Sequence, residues 1–263
     1  MANALKSLWR EGGTALGGWL SIPNAYSAEL AARTGFDFVC VDMQHGLAEF
    51  RDALAMLQAL SLGKGAPVVR VPWNEPGIIG RVLDAGALNV IVPMVNSPAE
   101  ARAAVSACRY APAGARSFGP LRAFLQEGAG YYASANAEVG CIPMIETKQA
   151  VENLDAILDV PGIDGVYVGP ADLSITLGLP PGNNDDHPAF VAALERVVAA
   201  CEARGIVPGI HASAALAARR REMGFRMITV SADQQALADG MRADLKLARG
   251  DTARAAGAKT PYG

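Results

Sequence analysis

The amino-acid sequence predicts an α/β fold, a single-domain (β/α)8 TIM barrel, in which a closed ring of eight parallel strands is surrounded by helices. Short segments rich in β-forming residues alternate with longer segments of helical periodicity along most of the chain. The alternation repeats eight times within 263 residues, and about 250 residues is typical of this barrel. A doubly wound open sheet is the alternative, but no GxGxxG follows the first predicted strand, which disfavours a dinucleotide-binding fold.

The predicted elements follow one another in strict order. Strands are expected at residues 16–20, 36–41, 67–71, 89–93, 140–145, 165–168, 207–210 and 227–230. Helices are expected at residues 25–34, 49–62, 76–85, 98–108, 150–158, 188–203, 213–223 and 232–247. Several helices begin after Pro, Ser, Thr or Asn, which are common at helix N-termini. The connection 109–138 is the main irregularity, and we expect a long loop there, of a kind that is often functional.

The domain organisation is simple, because no segment has the composition of a linker between domains. We assign residues 1–247 to the barrel and residues 248–263, which are rich in Ala, Gly and Lys, to a flexible C-terminal tail. Four cysteines are widely spaced and form no CxxC pair. We therefore expect reduced, buried thiols in a cytoplasmic protein.

The charge and hydropathy of the chain argue against binding to nucleic acid or to a membrane. The formal net charge is −3, and no basic run is longer than the three arginines at 219–221, which we expect on a solvated helix face. No stretch approaches the roughly 18 apolar residues of a membrane helix, and the N-terminal segment lacks the apolar core of a signal peptide.

Polar residues follow several predicted strands directly. In a barrel of this type the C-terminal ends of the strands meet at one face, where the chemistry takes place. The residues in question are Asp42, Gln44, His45, Arg70, Glu146, Asp172 and His211. We expect them to line a common site.

Glu146 and Asp172 follow neighbouring strands and are suited to a hard divalent cation. Mg²⁺ typically takes one or two protein carboxylates and fills its other positions with water and substrate oxygens. In "GVYVGPADLS", Gly169 and Pro170 let the backbone turn away from the strand, so that the N–H groups of Ala171 and Asp172 can face an anionic ligand.

Arg70 could clamp a carboxylate or steady a developing enolate, and His45 could move a proton near neutral pH. Each of the four residues also has a structural alternative. Asp172 could cap a helix, Glu146 could pair with Lys148, Arg70 could bridge helices and His45 could be a buried structural histidine. The coincidence of four such residues at strand ends favours the functional interpretation.

Four segments carry a resemblance to a known family. They read "GFDFVCVDMQHG", "VVRVPWNEPGIIGRVLDAGALNVIVPMV", "RYAPAGARSFG" and "PMIETKQAVENLDAILDVPGIDGVYVGPADLSITLG". Together they resemble the HpcH/HpaI aldolase family over about residues 15–247. These are class II pyruvate aldolases, which include 4-hydroxy-2-oxoheptanedioate and 2-keto-3-deoxy-sugar-acid aldolases. The pattern "IET…GVYVGPADLS" is highly specific, whereas "DMQHG" alone is weak.

The resemblance implies a barrel whose last helix is exchanged between subunits of a homohexamer, a trimer of dimers. It implies Mg²⁺, Mn²⁺ or Co²⁺ held by Glu146 and Asp172, and no organic cofactor. The segment that runs from Gly169 through Pro170 and Ala171 to Asp172 falls on the pyruvate-binding segment, where the last two residues supply backbone donors to the pyruvate carboxylate.

The resemblance also implies roles for three other side chains. His45 falls on the family's base and Arg70 on the residue that stabilises the enolate. Asp84 falls on the acid that raises the basicity of that histidine across a subunit contact. Nothing in the periodicity singles out Asp84, because it ends a helix.

Three positions depart from the family pattern or vary within it. Gln44 stands where a Glu is usual before the histidine, and Met144 stands where some members place a substrate-contacting Gln. His211 follows the seventh strand, where other members vary. These differences leave the metal ligands and the base in place and concern the aldehyde preference.

The resemblance thus implies reversible aldol cleavage of a 4-hydroxy-2-oxo acid to an aldehyde and pyruvate, or a related 2-oxo acid such as hydroxypyruvate. Three alternatives remain. A Schiff-base aldolase would need a buried lysine, and only Lys148 lies near a strand end. A barrel lyase could act on a CoA thioester, and a non-catalytic protein could bind a 2-oxo acid without turning it over.

Overall fold

The structure is a computed structural model, and it describes residues 2–250. Its strands form a closed parallel barrel in which each strand pairs with the next in the chain and the last pairs with the first. The strands are β1 (Ala15–Leu20), β2 (Phe38–Asp42), β3 (Ala66–Arg70), β4 (Asn89–Val92), β5 (Gly140–Ile145), β6 (Gly165–Val168), β7 (Val207–His211) and β8 (Met227–Ala232). The predicted (β/α)8 barrel is confirmed.

Helices follow the strands and surround the barrel. Within residues 2–250 they are α1 (Ala4–Arg10), α2 (Ala25–Arg33), α3 (Phe50–Leu60), α4 (Pro76–Asp84), α5 (Pro98–Cys108), α6 (Leu121–Glu127), α7 (Tyr131–Glu138), α8 (Lys148–Glu152), α9 (Leu154–Leu158), α10 (Pro170–Thr176), α11 (Pro188–Glu202), α12 (Ala217–Glu222) and α13 (Asp233–Ala248). A 3₁₀ turn, Ala214–Leu216, precedes α12. Side chains cap several of them: Asn24, Ser97 and Thr147 accept hydrogen bonds from the first-turn amides of α2, α5 and α8.

The prediction of a long loop at 109–138 was wrong, because α6 and α7 lie within this segment. Both helices are short and only weakly patterned, and their burial comes from a small aromatic cluster of Tyr110, Ala123, Tyr131 and Ala135. Tertiary packing of this kind is not visible as helical periodicity in the sequence.

Helix α1 closes the N-terminal end of the barrel. Leu5 and Trp9 belong to the cluster of buried side chains that fills the barrel interior, together with Trp19, Phe38 and Tyr167. Asn3 holds the helix in place, since its amide nitrogen donates to Asn89 Oδ1 and to the Glu138 carbonyl, each at 2.8 Å. The interior is therefore packed, and open space remains at the opposite, C-terminal end of the strands.

The last helix, α13, has no buried residue. Its start is tied to the end of β1, because Asp233 accepts hydrogen bonds from the N–H groups of Ser21 and Ile22 at 2.9 and 3.1 Å. Leu237, Met241 and Leu245 along it are exposed. The helix ends at Ala248, and the remainder of the predicted tail from 251 to 263 lies outside the described residues.

All four cysteines are buried and unpaired, as predicted. Across residues 2–250, no helix is both long enough and apolar enough to cross a membrane.

Candidate active site

Strand register places the first charged pair of the site. Asp42 and Arg70 are direct neighbours on the paired strands β2 and β3. Arg70 Nε donates to Asp42 Oδ1 at 2.8 Å and Nη2 donates to Oδ2 at 2.6 Å. Trp19 Nε1 adds a third donor to Oδ2 at 3.2 Å, and the guanidinium carbon lies 4.9 Å from the centre of the Trp19 ring. Arg70 is thus fixed by a bidentate pair and a cation–π contact.

Asp42 and Arg70 are both ionised in this arrangement. Burial disfavours the charged carboxylate, but the hydrogen bonds and charge of Arg70 outweigh burial and lower the pKa of Asp42. The same pairing raises the pKa of Arg70 in spite of its burial. The backbone N–H groups of Gln44 and His45 also donate to Asp42 Oδ1, at 3.0 and 3.3 Å. Asp42 therefore anchors both Arg70 and the loop that carries His45.

Glu146 lies just past the end of β5 and is 1 % exposed. Its Oε1 accepts a hydrogen bond from the Met94 N–H at 2.7 Å, but its Oε2 is buried and has no partner in the part of the chain described. Met94 itself has a positive φ of 55°, a conformation that costs a non-glycine residue energy and that aims this N–H at the carboxylate. Burial, and then the charge of Asp172, raise the pKa of Glu146 to about 7.

Gly169, the residue that follows β6, stands beside Glu146, the residue that follows β5. Met144 pairs with Tyr167 and Ile145 with Val168, so the following residues of β5 and β6 are also neighbours. A Cβ on Gly169 would lie 2.5 Å from Glu146 Oε2, which is closer than any real contact. Glycine at this position therefore leaves the unpaired carboxylate oxygen its space.

Gly169 and Pro170 also explain how the strand ends. Gly169 is the N-cap of α10 and Pro170 its first residue. The first hydrogen bond of the helix runs from the Leu173 N–H to the Gly169 carbonyl at 3.1 Å, which leaves the N–H groups of Ala171 and Asp172 outside the helical ladder. Asp172 lies in the first turn of α10 and is not its N-cap residue, so the capping alternative does not account for it.

The carboxylates fit a divalent cation. Glu146 presents a buried oxygen without a donor, and Asp172 is near enough to raise its pKa. A buried carboxylate is normally paired or bound to a metal, because leaving it unpaired is costly. Nowhere in residues 2–250 do three or more His, Cys, Asp or Glu side chains form a group that could hold a metal. A metal here would have two protein ligands and open positions for substrate and water.

The cavity at this end of the barrel has a volume of about 260 Å³. It is lined by Trp19, His45, Arg70, Met144, Glu146, Tyr167, Gly169, Pro170, Ala171, Asp172, Gly182, Asn183 and His211. The structure thus brings together most of the residues that the sequence singles out. The side chain of His45 is exposed at the mouth, so it is not a buried structural histidine. Gln44 does not line the cavity, and its Oε1 is buried without a partner within the described chain.

His211 ends β7 and stands edge-on to Trp19, with 5.0 Å between ring centres. Burial, followed by the charge of Arg70, lowers the pKa of His211 to about 4, although Asp42 acts in the opposite direction. The imidazole is therefore neutral at physiological pH.

Asp84 lies away from this cavity, at the end of α4. Its Oδ1 accepts a hydrogen bond from Arg116 Nη2 at 2.7 Å, and the Arg116 side chain is fully buried. Two other nitrogens of Arg116, Nε and Nη1, have no hydrogen-bond partner among residues 2–250. Asp84 lines a second cavity of about 510 Å³ between α4 and α5. Within one chain Asp84 and His45 do not meet.

Some residues of the site were missed from the sequence. Tyr167 looks like an ordinary strand residue, yet it stacks on Trp19 at 5.6 Å between ring centres.

The expectation that the arginines at 219–221 lie on a solvated helix face was wrong for Arg220, which is wholly buried. It donates to Asn183 Oδ1 at 2.8 Å and to Asp185 Oδ1 at 2.7 Å, and so ties down the loop that carries Asn183 into the cavity wall.

Comparison with known proteins agrees with this geometry. The family model described as HpcH/HpaI aldolase/citrate lyase matches residues 16–239. The hydroxypyruvate/pyruvate aldolase of Rhizorhabdus wittichii is 42% identical over 241 residues, which is 91% of this chain and 96% of that protein. A 4-hydroxy-2-oxo-heptane-1,7-dioate aldolase of Salmonella arizonae is 42% identical over 247 residues, which is 92% of this chain and 93% of that protein.

The fold comparison leads to the same family. The crystal structure of a HpcH/HpaI aldolase/citrate lyase family protein from Burkholderia cenocepacia J2315 matches with a TM-score of 0.87 and 36% identity, over 94% of this chain and all of that one, 100%. These matches confirm the resemblance seen in the sequence and the prediction of a carbon–carbon lyase of the aldolase type. The chain belongs to the HpcH/HpaI aldolase/citrate lyase family.

Proposed function

We propose that the chain catalyses the reversible, metal-dependent aldol cleavage of a 4-hydroxy-2-oxo acid to an aldehyde and pyruvate or hydroxypyruvate, with Glu146 and Asp172 as the metal ligands. The observation that carries the proposal is the buried Oε2 of Glu146, which has no donor within the described residues and belongs to a side chain that lines the cavity together with Asp172 and Arg70. The names of the two aldolase relatives support the choice of a 2-oxo acid donor.

A bound Mg²⁺, Mn²⁺ or Co²⁺ would act as a Lewis acid on the 2-oxo acid. The side chain of Arg70 is placed to help, because Asp42 engages Nε and Nη2 and leaves Nη1 for the keto oxygen of the substrate. The N–H groups of Ala171 and Asp172 would bind the substrate carboxylate, and Gly169 leaves room for its approach.

His45 would handle the proton. In cleavage it accepts the proton of the C4 hydroxyl, directly or through water, as the C3–C4 bond breaks and the aldehyde leaves. The electrons of that bond remain on the 2-oxo acid fragment as an enolate, which Arg70 stabilises. Protonation of the enolate at C3 then gives the free 2-oxo acid.

We further propose a cytoplasmic homohexamer, a trimer of dimers, in which α13 is exchanged and Asp84 of one subunit approaches His45 of another to raise its basicity. The exposed apolar side chains Leu237, Met241 and Leu245 on α13 support the exchange. Asp84 supports the contact, because its side chain is 28% exposed and lines a different cavity from the one that its own His45 lines. The buried, unpaired thiols suit a reducing compartment.

The experiment that tests the proposal avoids the unidentified aldehyde. Metal-free protein is mixed with pyruvate in D₂O, and loss of the methyl proton signal is followed by NMR with and without Mn²⁺. We expect metal-dependent exchange, because an enolate that forms at the site takes a deuteron at C3. Glu146→Gln and Asp172→Asn should abolish the exchange. Glu152→Gln, which removes an exposed carboxylate from α8, should leave it intact.

Exchange that persists in both site variants would sink the assignment of the metal ligands. The same experiment separates the rivals. A non-catalytic binding protein would take up pyruvate without exchanging its protons. A Schiff-base aldolase would exchange them without metal, but Lys148 does not suit that role, because it is exposed and pairs with Glu152 at 3.8 Å. Turnover of a CoA thioester with no pyruvate exchange would indicate the CoA lyase instead.

A further inference from the structure

Two polar side chains in the cavity have no part in the reaction as proposed. They are His211, at the end of β7, and Asn183, in the loop after α10. The other polar groups that are not assigned to the reaction are already paired, since Trp19 Nε1 donates to Asp42 and the Tyr167 hydroxyl bonds to the Thr229 hydroxyl. His211 and Asn183 therefore remain to meet whatever part of the substrate lies beyond the 2-oxo acid.

His211 is held rigidly without using its nitrogens. Its ring packs edge-on to Trp19, which is itself fixed by the Asp42 hydrogen bond and by stacking on Tyr167. Neither imidazole nitrogen has a hydrogen-bond partner among residues 2–250, and neither is sealed away from the cavity. Because the ring is neutral, with a pKa of about 4, it offers one donor and one acceptor and no charge.

Asn183 is oriented by a buried cation. Arg220 can only donate hydrogen bonds, so the Asn183 side chain must turn its Oδ1 toward it, at 2.8 Å. The Asn183 amide nitrogen, with two N–H donors, is left without a partner in the described chain. Asp185 Oδ1 fixes the other side of the same guanidinium nitrogen at 2.7 Å, so the loop is not free to turn the amide around.

The charges of the cavity disfavour a second carboxylate on the substrate. Of the described residues that line it, Arg70 is the single arginine or lysine, and two of its nitrogens are already taken by Asp42. Among the described residues of this chain, an aldehyde with its own carboxylate would therefore find no free cation to pair with.

We propose that His211 and Asn183 form the acceptor subsite and that this subsite selects an uncharged aldehyde with a hydroxyl next to its carbonyl. The inference rests on the proposed aldol reaction and names its second substrate class. In the synthetic direction C3 of pyruvate loses a proton and bonds to the aldehyde carbon, and the aldehyde oxygen gains a proton. The neighbouring hydroxyl of the aldehyde donates to, or accepts from, the imidazole and accepts from the Asn183 amide.

The test compares three aldehydes as acceptors for pyruvate. Glycolaldehyde has the required hydroxyl, propanal replaces that hydroxyl with a methyl group of similar size, and succinic semialdehyde carries a carboxylate. We expect wild-type kcat/KM to be highest for glycolaldehyde. The glycolaldehyde-to-propanal ratio should fall about tenfold in His211→Phe, which keeps the aromatic contact with Trp19, and by a few fold in Asn183→Ala. Asp186→Ala, an exposed position in the same loop that does not line the cavity, should leave the ratio unchanged.

Pyruvate methyl exchange in D₂O is measured on every variant and separates the two proposals. Exchange in the wild type with an unchanged ratio in both His211→Phe and Asn183→Ala overturns the subsite while the aldolase assignment stands. A wild-type preference for succinic semialdehyde overturns it as well. Absence of exchange in the wild type removes the aldolase proposal and this one with it. If His211→Phe fails to fold and loses exchange, Asn183→Ala decides, because that side chain is exposed and its loss does not open the core.

Discussion

Two buried carboxylates at the mouth of the barrel, those of Asp42 and Glu146, differ in their hydrogen bonds and in the direction of their pKa shifts. Asp42 receives two hydrogen bonds from Arg70, one from Trp19 and two from backbone N–H groups, and its pKa is lowered. Glu146 is as deeply buried, receives one hydrogen bond and keeps one oxygen without a donor among the described residues, and its pKa rises to about 7.

The difference supports the proposal that Asp42 belongs to the scaffold and Glu146 to the metal site. A carboxylate whose charge is fully compensated has nothing left to offer a ligand, but it can hold Arg70 and the His45 loop in place. A buried carboxylate that lacks hydrogen-bond donors destabilises the folded protein when it is charged, until a bound cation compensates that charge. Burial alone would not have separated the two, because Asp42 is 2% and Glu146 1% exposed.

The largest effect should come from breaking the compensated pair. Asp42→Asn removes the charge that balances the buried Arg70 guanidinium, and we expect a loss of about 3–5 kcal/mol of unfolding free energy. Urea unfolding of the metal-free protein measures it. Glu146→Gln is the matched change, and near pH 8 it should not destabilise the metal-free protein, because it removes an uncompensated charge. Equal losses in both variants would contradict the contrast between the two sites.

The pH dependence of the unfolding free energy should reveal the raised pKa of Glu146. The folded metal-free protein holds the Glu146 proton more tightly than the unfolded chain, whose ordinary value is 4.5, so stability falls as the pH rises from 4.5 to about 7. His211 acts oppositely. Its folded pKa of about 4 lies below the ordinary 6.5, so stability falls as the pH drops from 6.5 to about 4. Each of the two groups changes the unfolding free energy by about 3 kcal/mol across its own pH range.

These two slopes oppose one another in the wild type between pH 4.5 and 6.5. Urea midpoints over that range should therefore change little for this pair. In Glu146→Gln the histidine acts alone and stability should rise with pH, whereas in His211→Phe it should fall. If the two variants gave parallel curves, the assigned pKa shifts would be wrong.

Gly169→Ala should give a smaller effect, and this effect should be confined to metal binding. The new Cβ would lie 2.5 Å from Glu146 Oε2 and would push the carboxylate aside. Because Gly169 has a φ of −96°, alanine suffers no backbone strain there. We expect Mn²⁺ affinity to fall about 10- to 100-fold with little loss of stability. Calorimetric Mn²⁺ titration checks this, with Gly80→Ala, where a Cβ meets nothing within 4 Å, as the control. Wild-type affinity in Gly169→Ala would show that the glycine has no role in the metal site.

The sequence predicted the barrel and the set of strand-end residues well, because both depend on local periodicity. The sequence assigned no specific role to Asp42, since its partner Arg70 lies on another strand and the pairing depends on register. Arg220 was misplaced for a related reason: a run of three arginines looks solvated until the loop with Asn183 and Asp185 folds over the middle one.

The role of Gly169 could not be predicted from the sequence, because a glycine before a proline reads simply as a turn. Its meaning lies in the neighbouring strand, where Glu146 occupies the space of the missing Cβ. Asp84 is a different case. It came from the resemblance alone, and in a single chain it pairs with Arg116 away from the cavity, so the role proposed for it in catalysis would require a second subunit.

The central claim is that Glu146 and Asp172 together hold a divalent metal, and Mn²⁺ binding followed by electron paramagnetic resonance tests it most directly. Free Mn²⁺ gives a six-line signal that weakens when the ion is bound. We predict one strong Mn²⁺ site per chain in the wild type and in the Glu152→Gln control, and a loss of at least about tenfold in affinity in Glu146→Gln and in Asp172→Asn. Wild-type affinity in both site variants would contradict the account.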